Sequence, residues 1–593
     1  MDDISQSQRL FAARAATGLI QGLFLYLLYR AADAQVWPAT NGLTFAPLLL
    51  AGIYAPPVLI LSLGEMSWRK AALWAAIAAL VLAVLGWCDN WQAWPTQWVF
   101  GAKPHLAPTI APSFALFAFG GAGLFIAHAL VIGGHQDGRF MARYPTHFDV
   151  AWKLAVQLAL AALFVGAFWL LLWLGAGLFD LIKLDFFHKL IEHEWFAIPV
   201  ITSASACALH LTDIRPVLVR GARTLLLALL SWLLPLIALI VAGFLVSLPF
   251  TGLAPLWGFG HASGLLLVAS AALVVLINAA HQDGTAEPPK VLRWAGTLAA
   301  ALPVPLVLIA GYALWLRVDQ HGWTAPRVAV AACVIVALSY AVGYLRAAIT
   351  RGPWLAQIQH WNFYVSLLIL AVLFALFTPI ASPQRIGVAD QMARLASGRI
   401  APAKFDFGYL RREGGRYGLH ALNQLAAGGH DADFRAKARE AAKTEPLYAR
   451  TVAATDIAAR ITVWPRGQKL PAGFAATDWS KVPVYERANC MNSDDTSGCE
   501  AVLVDLDGDG KPEVLLFSES EWGIHVFRDS GKGWVAAGQM RQPNKCPAFL
   551  DALRQGKFDL VAPQPDWKEL RIGTTRLAIS RPYAVDQTPP CPN

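Results

Sequence analysis

About eleven apolar stretches, each long enough to cross a bilayer, decide what this chain can be. A crossing needs about 20 mostly apolar residues. The stretches run approximately Phe11–Tyr29, Thr44–Leu63, Ala71–Cys88, Ser113–Ile132, Leu154–Ile182, Phe196–Leu211, Thr224–Pro249, Ser263–Ala280, Trp294–Leu316, Val328–Ile349 and Asn362–Ile380. Lipid offers the backbone no hydrogen-bond partner, so each should be helical. The sixth is the weakest, being short and carrying Thr202, Ser203, Ser205 and His210. The seventh is long enough to tilt, or to kink at Pro235. Composition excludes a soluble alternative. Of 593 residues 56% are hydrophobic and only 15% charged, where about 25% is usual. Disorder is excluded for the same reason. The expected fold class is a multi-pass α-helical membrane bundle of about 11 transmembrane helices, followed by a soluble α+β region.

The loops give an orientation. With the N-terminus inside, the inner segments hold Arg9, Arg14, Arg69, Lys70, Arg139, Arg143, Lys153, Arg215, Arg220, Arg223, Lys290, Arg293, Arg346 and Arg351. The opposite loops hold only Arg30, Lys103, Lys183, Lys189, Arg317 and Arg327. Cations collect on the cytoplasmic side of membrane proteins. The expected location is therefore a bacterial inner membrane, with a cytoplasmic N-terminus and a periplasmic C-terminal region. Arg9, Arg14 and the Ala32-Asp33-Ala34 run also imitate a signal peptide, but Arg30 interrupts the cleavage region, and the segment is expected to stay as a span. The net charge of +8 follows from these loop cations and implies no nucleic-acid partner.

Charge rises sharply after Ser382-Pro383. Three regions are expected: a transmembrane domain over 1–382, a helical periplasmic segment over 383–460 and a β-rich periplasmic domain over 461–593. Cys88, Cys207 and Cys333 lie in or beside apolar stretches, whereas Cys490, Cys499, Cys546 and Cys591 fall in the tail. Four cysteines in an oxidising compartment imply two disulfides with three possible connectivities. Cys490–Cys499 with Cys546–Cys591 is the favoured set. A short repeat, His135-Gln136-Asp137-Gly138 and His281-Gln282-Asp283-Gly284, follows the fourth and eighth stretches. It reads either as an internal duplication or as two similar loop starts.

Three segments carry a likeness: R-V-D-Q-H-G-W-T-A-P-R (Arg317–Arg327), Q-M-A-R-L-A-S-G-R-I (Gln391–Ile400) and F-D-F-G-Y-L-R-R-E-G-G-R-Y-G (Phe405–Gly418). On these the chain resembles a bacterial inner-membrane family, the domain of unknown function numbered 4153. The likeness covers about the first 430 residues and brings no catalytic residue. V-L-V-D-L-D-G-D-G-K-P-E-V-L-L-F looks like a calcium loop of the FG-GAP type. One copy is visible, so a full propeller of such repeats is not expected.

That loop is the sharpest chemical signal. Calcium takes six to eight oxygens at about 2.3–2.6 Å. Asp505, Asp507, Asp509 and Glu513 would supply carboxylates, and Lys511 its carbonyl. Leu516 stands where an EF-hand has its last glutamate, and strands flank the loop. The expected cofactor is structural calcium, stapling two strands. A solvated acidic turn is the plainer reading.

Other polar groups are sparse. Arg14 sits near a span end and is expected to snorkel to the interface. His128, His210, Asp213 and His281 would form an inner polar cluster if their spans are neighbours; otherwise they are polar helix ends. Asp180–Trp195 reads as an amphipathic surface helix, with Phe186, Phe187, Leu190 and Ile191 toward lipid. Trp87, Trp91, Trp94 and Trp98 read as an aromatic belt or as a platform for sugars or headgroups. Gly18 and Gly22 permit close helix approach.

No phosphate loop, dinucleotide fingerprint, H-E-x-x-H or G-x-S-x-G occurs, and no enzyme is expected. The expected function is an envelope anchor or interaction protein, with membrane lipids and a periplasmic protein or glycan as partners. A secondary transporter or lipid-handling protein comes second. A transferase on a lipid-linked substrate comes third, because the first outer loop is short and holds only Asp33.

Overall fold

The computed structural model describes residues 2–93, 111–253, 262–285, 287–429, 431–442, 457, 460–471, 473–477, 479, 487–488, 491, 499–517, 523–531, 533–541, 547–560, 570–572 and 575–577. The chain divides into two compact units, Met1–Ala442 and Lys443–Asn593.

The first unit is helical. Its membrane-length helices are α1 (Asp2–Asp33), α2 (Gly42–Ser62), α3 (Trp68–Ala93), α4 (Phe114–Asp137), α5 (Tyr144–Leu181), α7 (Glu194–Asp213), α8 (Pro216–Thr251), α9 (Ala262–His281), α12 (Ala325–Ile349) and α13 (Ile358–Phe377). A short α6 (Phe186–Glu192) lies between α5 and α7. The remaining apolar stretch is interrupted at Leu302, giving α10 (Lys290–Ala301) and α11 (Pro303–His321). Pro303 and Pro305 lack the N–H groups that would close this turn. Counting α10 and α11 together, 11 helices among the described residues are long and apolar enough to cross a membrane, as the sequence leads one to expect. Pro235 lies inside α8, which runs on as one continuous helix. The 38 residues of α5 extend about 57 Å at 1.5 Å per residue. That exceeds a hydrocarbon core of about 30 Å, so α5 must tilt or project.

Close packing follows the small residues. A Cβ on Gly18 would come within 2.6 Å of the Ala206 Cβ, and one on Gly22 would strike Pro199 and Thr202. The Gly18/Gly22 pair therefore brings α1 against α7. Leu234, Leu273, Ile277, Leu306 and Tyr344 form a core in which α8, α9, α11 and α12 meet.

Four further helices complete this unit: α14 (Pro383–Ala396), α15 (Phe407–Glu413), α16 (Gly415–Ala427) and α17 (Ala432–Ala442). They share a small core of Val388, Leu410, Leu422 and Phe434.

The second unit holds a five-stranded sheet in the order β1 (Ile461–Trp464), β2 (Cys499–Val504), β3 (Glu513–Phe517), β4 (Gly523–Asp529) and β5 (Trp534–Arg541). β1 pairs with β2 in parallel and the other neighbours are antiparallel. Successive strand residues point to opposite faces, and both faces are covered. Ala501, Val514 and Leu516 join Phe474, Trp479 and Phe527 in one core. Val502, Leu515 and Phe517 meet Leu550 of α18 (Pro547–Arg554) in the other. The Arg554 guanidinium bonds both Glu500 carboxylate oxygens, at 2.6 and 2.5 Å, and clamps α18 to β2. A two-stranded ribbon, β6 (Leu570–Ile572) and β7 (Thr575–Leu577), follows.

Candidate functional site

The polar side chains of the helical unit gather at helix ends. At one end the cation-bearing segments meet. Arg14, three turns into α1, is 2% exposed. It does not snorkel, contrary to the expectation from its position. A cation this far from water needs anions or carbonyls around it, and α7 and the α2–α3 turn provide them. Arg14 Nη2 bonds Asp213 Oδ2 at 2.8 Å and the Leu63 carbonyl. Arg14 Nη1 meets His210 Nδ1 at 3.2 Å. Lys153 of α5 lies 3.1 Å from Asp213 Oδ1 and also pairs with Glu65. Gln136 donates to Glu65 at 2.9 Å. These groups surround a cavity of about 20 Å³, room for a single water.

The inner cluster proposed from His128, His210, Asp213 and His281 is thus divided among three places. Only His210 and Asp213 meet. His128 Nδ1 accepts from Trp74 Nε1 at 2.9 Å. His281 sits 3.3 Å from the Gln359 amide, beside the ring of Tyr144. Next to it lies a closed neutral ring. Asn278 Nδ2 donates to Tyr344 Oη at 2.6 Å, Tyr344 Oη donates to Asn362 Oδ1 at 2.8 Å, and Asn362 Nδ2 donates to Asn278 Oδ1 at 2.6 Å. The ring ties α9, α12 and α13 together. Sequence reading missed both Tyr344 and Asn362.

The two H-Q-D-G copies end their helices differently. Asp137 accepts from the Arg143 N–H at 2.6 Å and Thr146 Oγ1 at 3.0 Å, starting α5. Asp283 accepts from the Thr285 N–H and Oγ1 at 3.0 and 2.8 Å.

At the opposite end the three segments that carry the family likeness converge. Arg394 of α14 donates to the carbonyls of Val318 and Asp319, at 2.5 and 3.1 Å, in the last turn of α11, where Val318 also accepts the capping Gly322 N–H at 2.8 Å. Its Nε pairs with Asp390 at 3.0 Å, and Asp390 also accepts the Trp323 N–H at 2.8 Å. Gln391 reaches the His321 carbonyl at 3.3 Å. The Tyr409 hydroxyl of α15 packs against Gly387 so closely that a Cβ would not fit there. This clasp joins the α11–α12 turn to the helices that follow the last membrane-length helix.

The tryptophans help to seat α16 on α3. Trp91 stacks on Trp87, Arg416 lies over its ring at 4.3 Å, and Tyr417 meets its edge. Trp94 and Trp98 lie outside the described residues. In the Asp180–Trp195 loop, Ile191 of α6 is buried and Phe186 exposed. His188 is held between Asp180 at 3.0 Å and Glu192 at 3.2 Å. The Asp180 hydrogen bond raises its pKa, opposed by desolvation and helped by the Glu192 charge.

In the second unit the loop 505–512 joins β2 to β3. Asp505 accepts the N–H groups of Gly508 and Gly510 at 2.8 and 3.0 Å, Asp507 that of Asp509 at 3.2 Å, and Asp509 that of Lys511 at 2.8 Å. Gly508 and Gly510 take φ of +77° and +82°, which side-chain-bearing residues resist. Glu513 is 6% exposed and accepts the Leu506 N–H at 2.6 Å. Asp505, Asp507 and Glu513 each offer an oxygen within 4.8 Å of the others. Asp509 is not in that group. Three gathered carboxylates, one of them buried, fit the hard-oxygen demand of calcium. Cys499 begins β2 and is not a free thiol. Cys490, Cys546 and Cys591 lie outside the described residues.

A family model described as "Domain of unknown function (DUF4153)" matches residues 42–425. No curated protein and no solved structure matches. The matched region spans more than half of the chain, including all three converging segments except the last helix beyond them, and the chain belongs to this family of unknown function.

Proposed function

We propose that the chain is an envelope protein in which the helical unit anchors a calcium-stapled interaction module. One observation carries the anchoring role: Arg14, Lys153, Glu65 and Asp213 are occupied with one another, around a cavity with room for about one water. Fourteen cations at one end against six at the other support a bacterial inner membrane with a cytoplasmic N-terminus. The module would then face the periplasm, where Cys490–Cys499 and Cys546–Cys591 would form and a protein or glycan would be its partner. Asp505, Asp507 and Glu513 would hold calcium, with Asp509 shaping the turn and Lys511 giving its carbonyl.

The test is a calcium titration of the full chain in lipid nanodiscs. Binding with a Kd of about 10⁻⁴–10⁻³ M is expected. A hundredfold excess over Kd should stabilise the second unit by about 2.7 kcal/mol, seen as a raised melting temperature. Asp505→Asn with Asp507→Asn should remove both effects. Absence of heat and of any melting shift in the unaltered chain would refute the calcium module.

A second reading, secondary transport or lipid handling, is favoured by one observation. Arg14, Glu65, Lys153 and Asp213 come from four segments to one place, and ionisable groups inside membrane helices are retained mainly for function.

A further inference from the structure

The turn between α2 and α3 is held largely from outside itself. Within it, the N–H groups of Glu65 and Met66 both go to the Ser62 carbonyl, at 3.1 and 3.2 Å. Gly64 takes φ of +101°, with the Arg14 guanidinium beside it. Leu63 and Met66 form a bridge, and the flanking helices bond Leu63 and Ser67; the side-chain contacts come from distant helices. Arg14 bonds the Leu63 carbonyl, Lys153 pairs with Glu65, and Gln136 donates to Glu65. Glu65 lines the cavity together with Arg14, Lys153 and Asp213, and the apolar part of its wall includes Ile132, Leu154 and Leu209.

We propose that this turn is an ion-latched gate. The charges of Arg14, Lys153, Glu65 and Asp213 hold residues 63–67 against a cavity that they line together with Ile132, Leu154 and Leu209, and their release opens the cavity toward the cation-rich end. Exposure is graded along the latch. Arg14 is 2% exposed, Asp213 20%, Glu65 22% and Lys153 35%. Arg14 is the fixed post, because freeing it would strand a charge in a dry site. Lys153 and Glu65 stand nearest solvent, where an ion pair parts at little cost. A bundle that never opened here would be at least as stable with apolar side chains in these places. Gly64 gives the turn a backbone that can swing. The gate goes beyond anchoring and is independent of metal in the second unit.

The experiment uses the full chain in nanodiscs, with Cys88, Cys207 and Cys333 changed to Ser and Ile132→Cys as the reporter behind the gate. The readout is the modification rate by a charged thiosulfonate reagent. Lys153→Met should raise that rate by about tenfold, while Lys153→Arg keeps the rate of the parent. An unchanged rate in Lys153→Met would overturn the gate. An equally fast rate in Lys153→Arg would overturn it too, because charge would then not be what holds the turn. If Lys153→Met does not fold, Glu65→Gln in the same background is read in the same way.

Discussion

Two polar clusters at the same end of the helical unit solve one problem differently. Around Arg14, four full charges are drawn from α1, α5, α7 and the α2–α3 turn. Around Tyr344, three neutral groups from α9, α12 and α13 close a ring of hydrogen bonds. The neutral ring carries no ion to be stranded, and Asn278 is bonded further to Val274 and Tyr144, so it is a fixed joint. The charged cluster depends on its buried pair, because removal of Asp213 leaves the Arg14 ion buried and unpaired. The first kind of joint specifies packing; the second is sensitive to a single proton or side chain.

The largest test of that contrast is Asp213→Ala. It leaves Arg14 without its carboxylate at 2% exposure, which should cost about 3–5 kcal/mol. The measurement is thermal melting in detergent. Replacing Arg14 and Asp213 together by Leu should recover most of the loss. A double variant no better than the single one would mean that burial of charge is not the issue. Tyr344→Phe should cost less, about 1 kcal/mol, since interhelical hydrogen bonds in membranes are modest. A larger loss than that of Asp213→Ala would reverse the comparison.

The smallest effect belongs to His188, outside the spans. Its folded pKa lies above its ordinary 6.5 because of Asp180 first and Glu192 after it. A raised folded pKa adds stability that is full below 6.5 and is lost as pH rises through the raised value. The melting temperature should therefore fall slightly between pH 5.5 and pH 8.5, and Asp180→Asn should flatten that slope. An unchanged slope would remove the ion pair from the account.

How much of this was legible in the sequence depends on the distance between partners. Membrane-length helices declare themselves locally, through about 20 apolar residues in a row, and all eleven stretches have their helix. The interruption at Leu302 was also local, since Pro303 and Pro305 stand beside it. Arg14 was visible but misjudged. Its carboxylate partner lies 199 residues away, and no local pattern reports that contact. A better signal was available: Arg14, Glu65, Lys153 and Asp213 all fall near the ends of apolar stretches on the cation-rich side. Tyr344 and Asn362 gave no signal, because single polar residues in apolar runs look alike whether they pair or not.

The clasp at the opposite end has a consequence for biosynthesis. The Asp319 carbonyl is completed by Arg394, a residue translated 75 positions later. Gly322 caps Val318 from within the turn, but until Arg394 leaves the ribosome the Asp319 carbonyl depends on water for its partner. A nascent chain halted after α13 would carry all eleven membrane-length helices of the described residues and still have that turn unfinished. The order of synthesis therefore places the locking of the α11–α12 hairpin after the final helix has been inserted, so that Arg394 acts as a late fastener on a bundle already threaded.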